Sequence, residues 1–151
     1  MQKRLIYNYL SDDDLLRISN KIKKKEKSTA GEICVSIKEK KPIFSFSSLE
    51  NLAKEEFYKL GVDKTRDKTG ILIFILLEKK QFYILADKGI NEIVPKNTWD
   101  DIKEKMQLMF RQGNFCKGIL NGIDEVAALL TKHFPIKPND VNELSNQVIL
   151  D

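Results

Sequence analysis

Histidine and cysteine are scarce in this chain. Its 151 residues include one histidine and two cysteines. His133 is therefore the only candidate for a histidine base. Its place near the end of a predicted helix suits contact with the last carbonyls rather than catalysis. Cys34 and Cys116 are far apart and make no CxxC pair, so buried, reduced thiols of a cytoplasmic protein are expected. Cys34 also falls in a predicted strand, without the arginine of a phosphate-cradling cysteine loop. No run approaches the roughly 18 consecutive apolar residues of a membrane span. The N-terminus, MQKRLIYNYLSDDD, lacks a long apolar stretch and a small-residue cleavage signal, which predicts no secretory peptide. A glycine-rich phosphate loop and EF-hand spacing are both missing.

What is present points to one globular α/β domain over residues 1–135, followed by a tail over 136–151. Apolar residues make up 42% and charged residues 32%, a balance that gives a core and a solvated surface. The organising stretch is TGILIFILLEKKQFYILADKGINE, Thr69 to Glu92. Its first apolar run shows no polar alternation, so it predicts a strand over 70–77 buried on both faces. After Glu78-Lys79-Lys80 comes a second run, 81–86, which predicts a hairpin. Upstream, Ile33, Val35 and Ile37 alternate with Glu32, Cys34 and Ser36, predicting a strand over 32–38. Helices are predicted over 12–27, 48–60, from Asn97 or Thr98 to Gly113, and over 115–133, with a short helical turn over 89–94. Ser11 with Asp14, and Ser47 with Glu50, have capping-box spacing. Gly118 and Gly122 cost helix stability, which a close approach to a neighbour would justify.

Strand, helix, strand reads as a βαβ unit with parallel strands. The hairpin then adds an antiparallel strand, so the predicted fold is an α/β sheet of order 1-2-3 with strand two central. Phe44 and Phe46 either tuck under the domain or form a short fourth edge strand. The tail is left open between extended and helical.

This topology predicts where the acids meet. Strands one and two start at one end of the sheet, and strand three finishes there. Glu32, Asp63, Asp67, Asp87, Asn91 and Glu92 should gather at that end, with Arg66, Lys64, Lys68 and Lys88 on the same rim. Carboxylates without histidine or cysteine suit hard cations such as calcium or magnesium. Ordinary turn chemistry explains Asp87 before Lys88-Gly89 equally well.

The net charge of +4 is uneven. Lys21, Lys23, Lys24, Lys25 and Lys27 cluster, and Lys38, Lys40 and Lys41 follow. Lysines neutralise phosphates, yet this run lacks interleaved aromatics, arginine forks and a recognition motif. A solvated helix end is the favoured reading, and no specific nucleic-acid partner is expected.

The chain carries Ser28-Thr29-Ala30-Gly31-Glu32-Ile33, Phe57-Tyr58-Lys59-Leu60-Gly61, Thr69-Gly70-Ile71-Leu72-Ile73-Phe74, Asp87-Lys88-Gly89-Ile90-Asn91, Trp99, Phe110-Arg111-Gln112-Gly113-Asn114-Phe115, Gly118 and His133-Phe134-Pro135. In their order and spacing these motifs resemble the TPM domain family. The family includes a thylakoid-lumen protein of photosystem II repair and many bacterial proteins. The resemblance implies a three-layer α/β/α sandwich around a small mixed sheet, and divalent-cation binding at its loop end. It also implies acid-phosphatase activity in some members. Asp87 and Glu32 match the family's acidic positions best; Asp63, Asp67 and Glu92 match less closely. Thr69 stands where many relatives carry asparagine. Three functions follow, in falling order. The first is a non-catalytic cation-binding module in protein quality control or assembly, with an unknown protein partner. The second is a metal-assisted phosphatase with Arg66 or Lys88 on the phosphate. The third is a basic nucleic-acid or membrane-surface binder using Lys21 to Lys41.

Overall fold

The computed structural model describes residues 4–136 and 148–150. In chain order the elements are α1 (Asp12–Glu26), β1 (Glu32–Lys38), α2 (Leu49–Lys59), β2 (Gly70–Leu76), β3 (Gln81–Ala86), α3 (Lys88–Asn91), α4 (Thr98–Arg111), α5 (Phe115–His133) and β4 (Ile149–Leu150). Short 3-10 turns occupy Leu5–Asn8 and Val62–Lys64. The Ser11 capping box forms completely, with Asp14 reaching back to the Ser11 amide. At α2 the cap falls one residue later than predicted. Ser48 accepts from the Asn51 amide, and Glu50 pairs with Lys54 instead.

β1 and β2 are parallel, with Glu32 opposite Gly70 and Lys38 opposite Leu76. β3 runs antiparallel to β2, with Ile71 opposite Ala86. The sheet order is β3-β2-β1-β4, so the expected 1-2-3 arrangement gains a strand and β1 is interior, not an edge. The fourth strand is not the Phe44–Phe46 segment. It comes from the tail, where Ile149 and Leu150 pair with Ser36 and Ile37. A two-residue strand carries no periodicity, which is why the pattern could not show it. The rest of the tail, 137–147 and 151, lies outside the described residues. Phe44 and Phe46 are 90% and 96% exposed, so they do not tuck under the domain either.

Strand pleating sends alternate side chains to opposite faces. Ile33, Val35, Ile37, Ile71, Ile73 and Ile75 pack with the buried residues of α1, α4 and α5. Cys34, Leu72, Phe74 and Leu76 pack with Leu52, Ala53 and Phe57 of α2. Burying each such aliphatic side chain contributes roughly 1.5–3 kcal/mol, which outweighs the helix penalty of about 1 kcal/mol at each glycine of α5. Those glycines are where α4 comes close. A Cβ at Gly118 would stand 2.5 Å from the Phe110 ring, and one at Gly122 would stand 2.5 Å from the Met106 sulfur.

Candidate functional site

The start of β1, the start of β2 and the end of β3 lie in one row. Glu32 is opposite Gly70, and the Asp87 amide donates to the Gly70 carbonyl at 2.9 Å. Two inter-strand steps separate Glu32 from Asp87, about 10 Å between their Cα atoms. Paired positions face the same way, so both acids lie on the α2 side of the sheet. Gly70 leaves room above the strand between them. A Cβ there would stand 2.3 Å from the Val62 carbonyl oxygen, so the Val62–Lys64 turn rests directly on β2 and carries Asp63 in. A second interlock joins this loop to α3. A Cβ at Gly89 would stand 2.4 Å from the Asp67 carbonyl oxygen and 2.5 Å from that of Lys68.

The loop between the Val62 turn and β2 is bonded to itself. The Thr69 amide donates to Thr65 Oγ1 at 3.0 Å, and Lys68 Nζ donates to the Asp63 carbonyl at 2.7 Å. Thr65 and Thr69 are both buried. A run as charged as VDKTRDKT reads as a solvated loop. Its two threonines, four residues apart, are the signal that it closes on itself.

Each candidate residue has a distinct situation. Asp87 caps α3, its Oδ1 accepting from the Lys88 amide at 2.8 Å. Its Oδ2 is buried without a hydrogen-bond partner among the described residues, as is Oδ1 of Asp63. Glu32 is buried at the strand start. Asp67 is exposed and pairs with Arg66, whose Nη2 lies 3.1 Å away, so that guanidinium is already engaged. Asn91 uses both ends of its amide. Nδ2 donates to the Ala86 carbonyl at 2.8 Å, and Oδ1 accepts from Trp99 Nε1 at 3.0 Å. Glu92 and Lys88 lie beside Asp87 in a cavity of about 430 Å³, with Lys54 and Tyr58 of α2 on its other wall. Among the described residues, no three acidic, cysteine or histidine side chains converge into a ready cluster.

The all-oxygen donor set still fits a hard cation. Two buried carboxylate oxygens without donors are costly unless a positive charge or a proton answers them.

Glu56 escapes the sequence reading. It is 3% exposed on α2 and accepts from Ser36 Oγ at 2.9 Å, further along the same sheet face. Its signal was its place in the stripe of Leu52, Ala53 and Phe57, where an apolar residue is due. Burial, then the charges of Glu56 and Glu26, push the neighbouring Cys34 thiol up to about 12, so it is inert as a nucleophile at neutral pH.

Parallel β1 and β2, a hairpin strand beside them, and acids at one rim define a mixed α/β domain with an oxygen-rich end. The chain belongs to the TPM domain family, whose profile matches residues 7–129. It is similar to BA42 from the psychrophilic bacterium Bizionia argentinensis, solved by NMR. That match has 35% identity and a TM-score of 0.85 over 95% of this chain and 96% of BA42. The N-terminal domain of a P. gingivalis protein shares the fold at 20% identity and TM-score 0.67, covering 83% of this chain and 79% of that one. The N-terminal domain of cg2496 from Corynebacterium glutamicum does so at 14% identity and TM-score 0.61, covering 82% and 75%. No curated protein matches the chain.

Proposed function

We propose that this chain is a divalent-cation-binding TPM module, non-catalytic, acting in protein quality control or assembly. The observation that carries the reading is the pair of buried, unpartnered carboxylate oxygens on Asp63 and Asp87, held on two segments interlocked at Gly70 and Gly89. Asp63 and Asp87 would be the principal ligands, with Glu32 beside them in the row. Backbone carbonyls and water would complete the six to eight oxygens calcium takes. Asp67, Glu92 and Asn91 are weaker ligands here, because Asp67 has Arg66 and Asn91 holds Trp99. With few ligands from one contiguous loop, the expected affinity is about 10⁻⁵ to 10⁻³ M. The reading takes residues 1–135 as one three-layer domain, supported by the apolar clusters on both sheet faces. A reducing, cytoplasmic setting is supported by the two free cysteines.

Calorimetry with calcium and magnesium tests this. Binding should be detected for the native chain and lost in Asp87→Asn, which keeps the cap to Lys88. Absence of binding by the native chain overturns the proposal.

The second reading, a metal-assisted phosphatase, has one observation in its favour. Lys54, Lys88 and Tyr58 share the cavity with Asp87, giving cationic and hydroxyl donors for a phosphate. Metal-dependent turnover of physiological phosphomonoesters above about 1 s⁻¹, lost in the same variant, would promote it over the binding module.

A further inference from the structure

The other end of the sheet carries a loop that folding leaves unexplained. Residues 39–48 leave β1 and return to α2 without regular structure. Ile43, Phe44 and Phe46 on this loop are 84%, 90% and 96% exposed. Three large apolar side chains so close together on one short loop exceed the scattered exposure of an ordinary surface. The backbone adds a second observation. The Ser45 amide donates to the Pro42 carbonyl at 3.0 Å, closing a four-residue turn with Phe44 at its third position. Phe44 has φ +65° there, where glycine is the inexpensive choice. A bulky side chain in that conformation is strained, its Cβ crowding the following carbonyl oxygen. The phenylalanine therefore brings nothing to the fold: it costs backbone energy and buries nothing.

Lysines surround this tip. Lys40 precedes it and Lys41 adjoins it. The β2–β3 hairpin runs beside the start of this loop and brings Lys79 to the same end, because the Leu77 and Glu78 amides donate to the Lys38 and Glu39 carbonyls, both at 2.9 Å. Lys80 turns to the other sheet face, into the cavity of Tyr9, Phe110 and Phe115. Two carboxylates share this end. Glu39 is paired with Arg4 at 3.1 Å, and Glu78, which accepts from the Lys41 backbone amide at 2.8 Å, keeps its charge and offsets one of the surrounding lysines, leaving the patch net positive. The Lys21–Lys27 part of the basic cluster is elsewhere and partly neutralised, with Lys21 and Lys25 on Asp124.

We propose that the Ile43–Phe46 loop docks this protein on an anionic membrane surface, with Ile43, Phe44 and Phe46 entering the interface and Lys40, Lys41 and Lys79 meeting lipid phosphates. Apolar insertion ringed by lysines is the arrangement by which peripheral proteins hold an anionic leaflet. A nucleic-acid surface would use the lysines and could stack the two rings, but it has no use for Ile43. A protein interface would need the apolar patch to be broader than one loop tip.

The test is flotation of the full chain with vesicles of phosphatidylcholine alone and of an equal mixture with phosphatidylglycerol. The native chain should float with the anionic vesicles, be released by salt, and ignore the neutral ones. Phe44→Ser/Phe46→Ser should weaken partitioning at least about tenfold. Lys40→Glu/Lys79→Glu should do so by more than about tenfold, since each lysine near the surface contributes about fivefold. All four positions border solvent, and unchanged melting temperatures will show that the variants fold. Failure of the native chain to float overturns the proposal. So does full retention of binding by the phenylalanine variant, which would make the contact purely electrostatic. Phenylalanine-dependent self-association without flotation would assign the loop to a second copy. Tighter, phenylalanine-dependent binding of a single-stranded oligonucleotide would assign it to nucleic acid.

Discussion

The two ends of the sheet hold their charges in opposite ways. At the end where β1 and β2 begin, acids are drawn inward. Glu32 is buried, and Asp63 and Asp87 each keep a buried oxygen that no described residue answers. At the other end lysines stand outward around exposed apolar side chains. The first arrangement costs desolvation, which a cation or a proton would relieve. The second costs apolar exposure and backbone strain, which a covering surface would offset. Both proposed roles rest on this contrast.

The largest expected effect is at the acidic end. Gly70→Ala should destabilise the protein by about 3 kcal/mol, the upper part of the overpacking range, because the clash at 2.3 Å is with backbone. Cation binding should be lost with it. Chemical denaturation checks the first and calorimetry the second. A stable Gly70→Ala variant that still binds would show that the Val62 turn does not position Asp63.

Asp87→Ala separates architecture from charge. Loss of the cap to Lys88 should cost about 1 kcal/mol and cation binding should disappear. Asp87→Asn should lose the binding while keeping most of the stability. Binding retained by Asp87→Asn, with stability lost only in Asp87→Ala, would make Asp87 a turn residue only. Trp99 offers a direct reading, because it is the only tryptophan and bonds to Asn91 beside Asp87. Its emission should change on adding calcium to the native chain and stay constant in Asp87→Asn.

At the lysine end the prediction has the opposite sign. Phe44→Gly should stabilise the isolated protein by up to about 1 kcal/mol by relieving the positive φ, while reducing attachment to anionic vesicles. A destabilised Phe44→Gly variant would mean that the ring is held by contacts in solution.

The smallest effect concerns Glu39, the acid at this end that the fold does use. The Ile6 amide, then the Arg4 guanidinium, hold its carboxyl below the usual range. A carboxyl depressed on folding contributes stability above its unfolded value, near 4.5, and that contribution is lost as pH falls through the folded value. Glu39→Gln should therefore flatten the decline in melting temperature below about pH 4.5. An unchanged acid limb would show that Glu39 is not coupled to folding.

The unequal legibility of the two ends has a physical cause. Strand direction follows from the continuous run in β2 and the short Glu78–Lys80 break, so it was readable from pattern alone that β1 and β2 begin, and β3 finishes, at one end of the sheet. Helix bounds followed from stripes and caps, missing by one residue where Ser47 and Ser48 compete for one cap. Tertiary effects stayed hidden. Which carboxylate keeps an unpaired oxygen depends on neighbours, and the partners of Asn91 and Arg66 lie in side-chain geometry. β4 is too short to leave a period. Phe44 and Phe46 read as tucked under the domain or as a short edge strand, and only the fold shows that they remain outside.

The most direct test is a calcium titration of the isotope-labelled chain followed by amide chemical shifts, with Asp87→Asn as its pair. The account predicts saturable shifts confined to residues 62–70 and 86–92 and the indole of Trp99, with the 40–47 loop silent and no shifts in the variant. Shifts absent from the native chain, or centred on another part of the sheet, would contradict it.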